Sequence, residues 1–165
     1  MEDGQQFQQT LEIVQFYHAI QSLSHDPFRF SEIRNTLVRS LEQLLGSEAL
    51  DFVQFTYNMD DREAERRLLP MAAERGVAVI VNRPFQRGGL FDRVRGRPVP
   101  GWAAEFDCAN WAQFFLKFAV SHPAVTCAIP ATTKPAHLRE NMGALHGTLP
   151  DGRQRQRMID YVASI

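Results

Sequence analysis

Val77-Ala78-Val79-Ile80-Val81 decides the fold. These five apolar residues follow Gly76 without interruption, and three of them are valines. β-Branched side chains favour extended backbone. A run with no polar alternation is the pattern of a strand covered on both faces, as in a parallel sheet flanked by helices. Upstream, Phe52-Val53-Gln54-Phe55-Thr56-Tyr57 reads as a second strand. Between the two, Asp60 and Glu63 have capping-box spacing, with Asp in place of Ser or Thr. Leu68, Leu69 and Ala72 then lead to Gly76, a suitable helix C-cap. Downstream come a long loop with Gly88-Gly89, and then an apolar helical face of Trp111, Phe114, Phe115, Phe118 and Ala119. His122-Pro123 ends that helix, and Val125-Thr126-Cys127-Ala128-Ile129 is the third strand. A helix opened by Pro135 follows. A last helix carries Met158, Ile159, Val162 and Ile165 behind the cap Asp151. From Asp51 onward the order is β-α-β-α-β-α. The fold class is therefore α/β, with right-handed crossovers and a parallel sheet.

The first fifty residues read as helical. Phe7, Leu11 and Val14, with Ile13, Tyr17 and Ile20, recur at helical spacing until His25-Asp26-Pro27. Ile33, Leu37, Leu41, Leu44 and Leu45 form a second stripe closed by Gly46. The expected organisation is a helical lead over 1–50 and an α/β portion over 51–165, one domain overall. A chain of 165 residues can bury a core of ordinary size. A formal net charge of −1 implies no general attraction to nucleic acid or an anionic membrane. No apolar run is long enough to span a bilayer, and Met1-Glu2-Asp3-Gly4 does not open a signal peptide. A cytoplasmic location is expected. Cys108 and Cys127 have neither metal-site nor disulfide-framework spacing, and Cys127, in an apolar run, is expected to be a buried free thiol. There is no Walker or GxGxxG motif, and no metal is expected.

Ile129-Pro130-Ala131-Thr132-Thr133-Lys134-Pro135 carries the strongest chemical signal. It reads as a strand end, a short polar loop and a helix whose first position is proline, where the missing N–H costs nothing. The free amides and positive dipole end of such a helix favour an anion. His137, Glu140 and Asn141 follow within two turns.

Three segments, in order, resemble the aldo-keto reductases. Residues 51–58, with Gln54, are similar to the sixth barrel strand, whose glutamine bonds the nicotinamide carboxamide. Val81-Asn82-Arg83-Pro84-Phe85, running into Gly88-Gly89-Leu90, resembles the end of the seventh strand and its cofactor-facing loop. Residues 129–141 resemble the eighth strand and the helix that grips the adenosine phosphate. The resemblance implies a (β/α)8 barrel, of which this chain would hold the last three βα units behind a helical N-terminal segment. It implies a nicotinamide dinucleotide, NADP or NAD, held by Gln54, Asn82, Arg83, Pro84, Ile129, Thr132, Thr133, His137, Glu140 and Asn141. It also implies reversible hydride transfer to a carbonyl substrate. Asn82 stands where many members have a tyrosine that stacks on the nicotinamide. Ala131, Thr132 and His137 replace the lysine, serine and arginine of many NADP-preferring members, with Lys134 nearby as a substitute charge.

The family's proton donor is a tyrosine, supported by lysine, aspartate and histidine from earlier strands. A complete barrel needs about 200 residues or more. The expectation is thus a truncated form that keeps the cofactor-binding elements, with no catalytic residue of that set identifiable. The helix over 32–45 resembles a mid-barrel helix, which would put a missing internal piece before Asp51. Tyr57, His122, His137 and His146 are the candidates for a replacement acid, and only His137 has a cofactor-side rationale. Tyr57 reads as a wall or core residue, His122 as a capping group and His146 as solvated. Arg87, Arg93, Arg95 and Arg97 read as a solvated loop, against grip on a pyrophosphate. The alternatives to an oxidoreductase are a non-catalytic interaction module and a remnant without turnover. Open strand edges and apolar surface left by missing neighbours favour self-association.

Overall fold

The computed structural model describes residues 27–165, with side chains from residue 36 onward. These residues belong to two compact units that part after Leu50. The first contains α1 (Pro27–Ser47). Pro27 opens this helix, so it starts five residues before the stretch that the 32–45 pattern marks. The stripes at Phe7–Ile20, read as helical above, lie outside the described residues.

The second unit, Asp51–Ile165, is α/β. Its sheet has three parallel strands in the order β1-β2-β3: β1 (Phe52–Thr56), β2 (Ala78–Asn82) and β3 (Cys127–Ala128). Val53 is in register with Val79, Gln54 with Ile80, and Thr56 with Asn82. Ile80 pairs with Cys127 and Val81 with Ala128. The helices are α2 (Leu68–Arg75), α3 (Gly89–Arg93), α4 (Trp111–Val120), α5 (Pro135–Met142) and α6 (Gly152–Ala163).

The sheet has two unequal faces. Val53, Phe55, Val79 and Val81 are buried on the face that meets the helices, and Tyr57, next on that face, stacks on Phe118 of α4 at 5.8 Å. The opposite face carries Phe52, which is 45% exposed, half-buried Gln54 and Ile80, and exposed Cys127. The expectation of a β2 covered on both faces is therefore corrected. A sheet needs a layer on each side for that, and the helices of this unit pack on one. Cys127 is corrected for the same reason: Cys108 is the buried thiol, and Cys127 is exposed on the edge strand. Burial pushes the Cys108 thiol up to about 11.

Local chemistry explains the other departures. Asp60 does not cap α2. Its carboxylate pairs with Arg93 at 2.7 Å, while Asn58 Oδ1 accepts the Asp60 and Asp61 N–H groups at 2.9 Å each. A 3₁₀ turn, Glu63–Glu65, then precedes α2, which does end at a left-handed Gly76 (φ 68°). The segment after β2 is not a plain loop, because it contains the turn Gln86–Gly88 and α3. Two of its arginines are paired, Arg93 with Asp60 and Arg95 with Asp92. The ladder of β3 is shorter than 125–129 because Thr126 Oγ1 accepts the Val79 N–H at 3.0 Å in place of a backbone carbonyl.

α4 is buried all round, from Ala112 to Ala119, including Gln113 and Lys117. Asn110 caps it by accepting the Gln113 N–H at 2.9 Å. Lys117 Nζ donates to the carbonyls of His146 (2.6 Å) and Thr148 (2.8 Å), satisfying a buried ammonium with loop backbone. The 146–148 loop is fixed from its other side by Asp107, whose carboxylate accepts the Thr148 N–H at 2.9 Å and is thereby held below its usual range. Gly147 (φ 72°) lies so close to Asp107 that a Cβ there would collide with the carboxylate. α6 starts with a complete capping box: Asp151 accepts the Gln154 N–H, and the Gln154 side chain accepts the Asp151 N–H.

Candidate active site

Because the three strands are parallel and adjacent, their C-terminal ends share one edge of the sheet. In open α/β sheets ligands bind at that edge. Thr56, Asn82 and Ile129 stand there, at the end of each strand or just beyond it. Three separate segments of the chain are thus brought to one edge by topology, and two of these residues, Asn82 and Ile129, are sequence-predicted.

The β1–β2 side is a polar network. Thr56 Oγ1 donates to Asn82 Oδ1 at 2.7 Å, and both residues are buried. Asn58, fully buried, uses its amide completely. Its oxygen takes the two N–H groups named above, and its NH2 donates to the Arg83 carbonyl at 2.9 Å and to Gln86 Oε1 at 3.2 Å. Asn58 thus pins a loop in which Arg83, Gln86 and Arg87 all have positive φ (51°, 48° and 55°). A left-handed non-glycine residue costs roughly 1–2 kcal/mol, and such strain collects at functional sites. Arg83 is half-buried in this loop and Pro84 is buried. Gln54 is half-buried, with no hydrogen-bond partner for its side chain among the described residues.

The β3 side is open. Ile129 is 48% exposed, and Thr132, Thr133, His137 and Glu140 are exposed as well. A groove of about 430 Å³ is lined by Ala131, Thr132, Thr133, Lys134 and His137. Thr132 Oγ1 accepts the Lys134 N–H at 3.2 Å, which shapes the approach to α5. Pro135 is at the start of that helix, and no side chain caps it. The first-turn amides of this helix therefore lack an internal acceptor. Asn141, one turn beyond His137 on the same side, is 6% exposed, and no described residue hydrogen-bonds its amide. The backbone carbonyl of Glu140 is anchored by Gln113 Nε2 at 3.2 Å.

The remaining candidates are placed elsewhere. Tyr57 points to the helix face. Its hydroxyl donates to Glu65 Oε1 at 2.5 Å and accepts from Arg155 at 2.5 Å, and burial pushes the phenol well above its usual range. His122 packs edge-on against Tyr57, and its Nδ1 accepts the Ala124 N–H at 3.2 Å. His146 contributes its carbonyl to Lys117. Sequence reasoning missed Thr56 and Asn58. Both share the period-2 face of Gln54, which is the signal that was available.

A model of the aldo/keto reductase family matches residues 31–156, so the chain belongs to that family. It is 27% identical over 136 residues to an NADH-specific methylglyoxal reductase of Escherichia coli (strain K12), covering 67% of this chain and 42% of that protein. Among solved structures it is similar to the aldo-keto reductase AKR11C1 from Bacillus halodurans. The holo form gives a TM-score of 0.57 at 20% identity, over 74% of this chain and 46% of that one. The apo form gives 0.58 at 19%, over 84% and 58%. The thermostable aldo-keto reductase Tm1743 gives 0.53 at 26%, over 70% and 41%. The chain therefore spans between 41% and 58% of the length of these relatives. Among the described residues no helix is long and apolar enough to cross a membrane.

Proposed function

We propose that this chain is the C-terminal part of a (β/α)8 aldo-keto reductase barrel, and that it binds a nicotinamide dinucleotide across the C-terminal ends of β1, β2 and β3. The observation that carries this reading is the groove at the start of α5, lined by Ala131, Thr132, Thr133, Lys134 and His137; near the other end of that helix, Asn141 is buried and its amide has no partner among the described residues. A buried amide without a partner is costly, and a base edge supplies the missing donors and acceptors. Thr132, Thr133, His137 and the first-turn amides of α5 suit the adenosine phosphates, with Ile129, Glu140 and Asn141 toward the base. Gln54, Asn82, Arg83 and Pro84 suit the nicotinamide half. When bound, the nicotinamide carries the hydride that carbonyl reduction requires. The similarity to an NADH-specific reductase favours NAD, while Lys134 beside the groove leaves room for the 2′-phosphate of NADP.

Turnover by this chain alone is not part of the proposal. The Tyr57 hydroxyl is committed to Glu65 and Arg155 on the helix face, and His122 packs against its ring, so neither is free to serve a substrate on the opposite face. General acid–base catalysis contributes about 10²–10⁴-fold and requires a donor within hydrogen-bond reach. Calorimetry with NADH and NADPH tests the reading. Binding of at least one is expected, and Thr132→Ala combined with Asn141→Ala should weaken it about tenfold, or about 1.4 kcal/mol. Absence of binding, or an unchanged affinity in the double variant, overturns it. An assay of the purified chain with NADPH and a simple aldehyde should show no turnover.

A second reading is favoured by the exposure of Phe52 and Ile129 on the sheet face opposite the helices and by the outer edges of β1 and β3, which no strand pairs among the described residues. Open edges and apolar surface promote association. In this reading copies of the chain pair through the sheet and the module does not bind cofactor. Sedimentation velocity over a concentration series distinguishes it, since a strict monomer that binds NADH excludes it.

A further inference from the structure

We infer that Asn82 binds ligand directly: its side-chain NH2, held in place by Thr56, donates to a carbonyl-type oxygen of the ligand at the ends of β1 and β2. The inference rests on the dinucleotide reading above, within which that oxygen belongs to the nicotinamide carboxamide.

Asn82 is 4% exposed and closes β2 in register with Thr56. The Thr56 hydroxyl donates to its Oδ1 at 2.7 Å, which fixes the plane of the amide. That bond uses the acceptor end only. Both N–H donors of Nδ2 lack a protein partner among the described residues, although buried amide donors are almost always satisfied. The contrast with Asn58, two residues beyond Thr56, is informative. That residue is equally buried, but its oxygen takes two N–H groups and its NH2 makes two bonds. One asparagine is a finished structural clasp, and the other is half-used.

Position supplies the second observation. Asn82 lies on the sheet face opposite the helices, the face shared with Gln54, whose side-chain amide has no partner among the described residues. Two amide NH2 groups without a partner among the described residues therefore stand on adjacent parallel strands near the edge where the strained Arg83–Arg87 segment begins. A planar group with both a carbonyl and an N–H is what such a pair recognises. The adenosine half of a dinucleotide is assigned to the other side of the edge, at α5, so the carboxamide is the group left for this one.

The test compares NADH, ADP-ribose, which lacks the nicotinamide, and thionicotinamide adenine dinucleotide, whose sulfur is a weak acceptor. Calorimetry is run on the full chain and on Asn82→Leu. Asn82→Asp is a second variant that keeps the acceptor for Thr56 and removes the donor. Wild type should bind NADH more tightly than the thio analogue or ADP-ribose. Both variants should lose about tenfold for NADH, leave ADP-ribose unchanged and abolish the preference for oxygen over sulfur. Thr56→Val, acting on a positioning residue, should lose less and keep part of that preference. Equal loss for NADH and ADP-ribose, or a retained oxygen preference in both variants, overturns the inference while the dinucleotide reading stands. Failure of wild type to bind either NADH or ADP-ribose overturns both.

Discussion

Tyr57 shows how one hydroxyl can be committed to structure although its residue type suggests catalysis. It is fully buried, stacked on Phe118 and held between Glu65 and Arg155, which themselves pair at 3.3 Å. Arg155 also donates to Ser121 Oγ at 2.8 Å and lies 4.3 Å above the Phe118 ring. The hydroxyl thus helps tie the end of β1 to α4 and α6. Tyr57→Phe should cost about 1.5–3 kcal/mol, the range for hydrogen bonds to charged groups. Urea unfolding measures that loss, and NADH affinity should stay within twofold. A large drop in affinity with normal stability would place the hydroxyl in the site after all.

At the scale of elements, the turn joining α4 to β3 should respond to pH. His122 accepts the Ala124 N–H through Nδ1, which requires the neutral ring. Burial, and then the neighbouring Arg155 charge, lower its pKa, against a smaller opposing pull from Glu65. The unfolded state therefore takes up the proton first. Stability from this group is fully present above the unfolded value of about 6.5 and is lost as pH falls from there through the lower folded value. Melting temperatures between pH 8 and pH 5 should fall on acidification, and His122→Gln should flatten that part of the profile. An identical slope in the variant would assign the effect to other groups.

At the scale of the whole molecule, the unequal faces of the sheet give the two cysteines different fates. Cys127 is exposed on the open side, whereas Cys108 is buried, its thiol raised to about 11 and bonded to the Asn110 carbonyl at 3.4 Å. The thiolate is the reactive form. Iodoacetamide at neutral pH should label Cys127 first and Cys108 only in denaturant, as peptide mass spectrometry can verify. Protection of Cys127 that grows with protein concentration would show that copies cover the open face.

The sequence alone determined the alternation of elements from Asp51 onward and the helix that Pro135 opens. Local signals suffice for these: the apolar run of β2, Gly76 as a left-handed cap, Pro135 at a helix start and the Asp151 box. The resemblance of residues 51–58, 81–90 and 129–141 also marked out the family correctly, because those residues are contiguous in the chain. Tertiary structure decided what depends on partners far along the chain. It turned Tyr57 toward Arg155, 98 residues away. It exposed Cys127 by packing the helices of its own unit on one face of the sheet. It diverted Asp60 from capping to Arg93, and it paired Thr56 with Asn82 so that one amide remains half-used. Periodicity fixes which residues share a face, but only packing and register decide which face is covered and which polar groups find a partner.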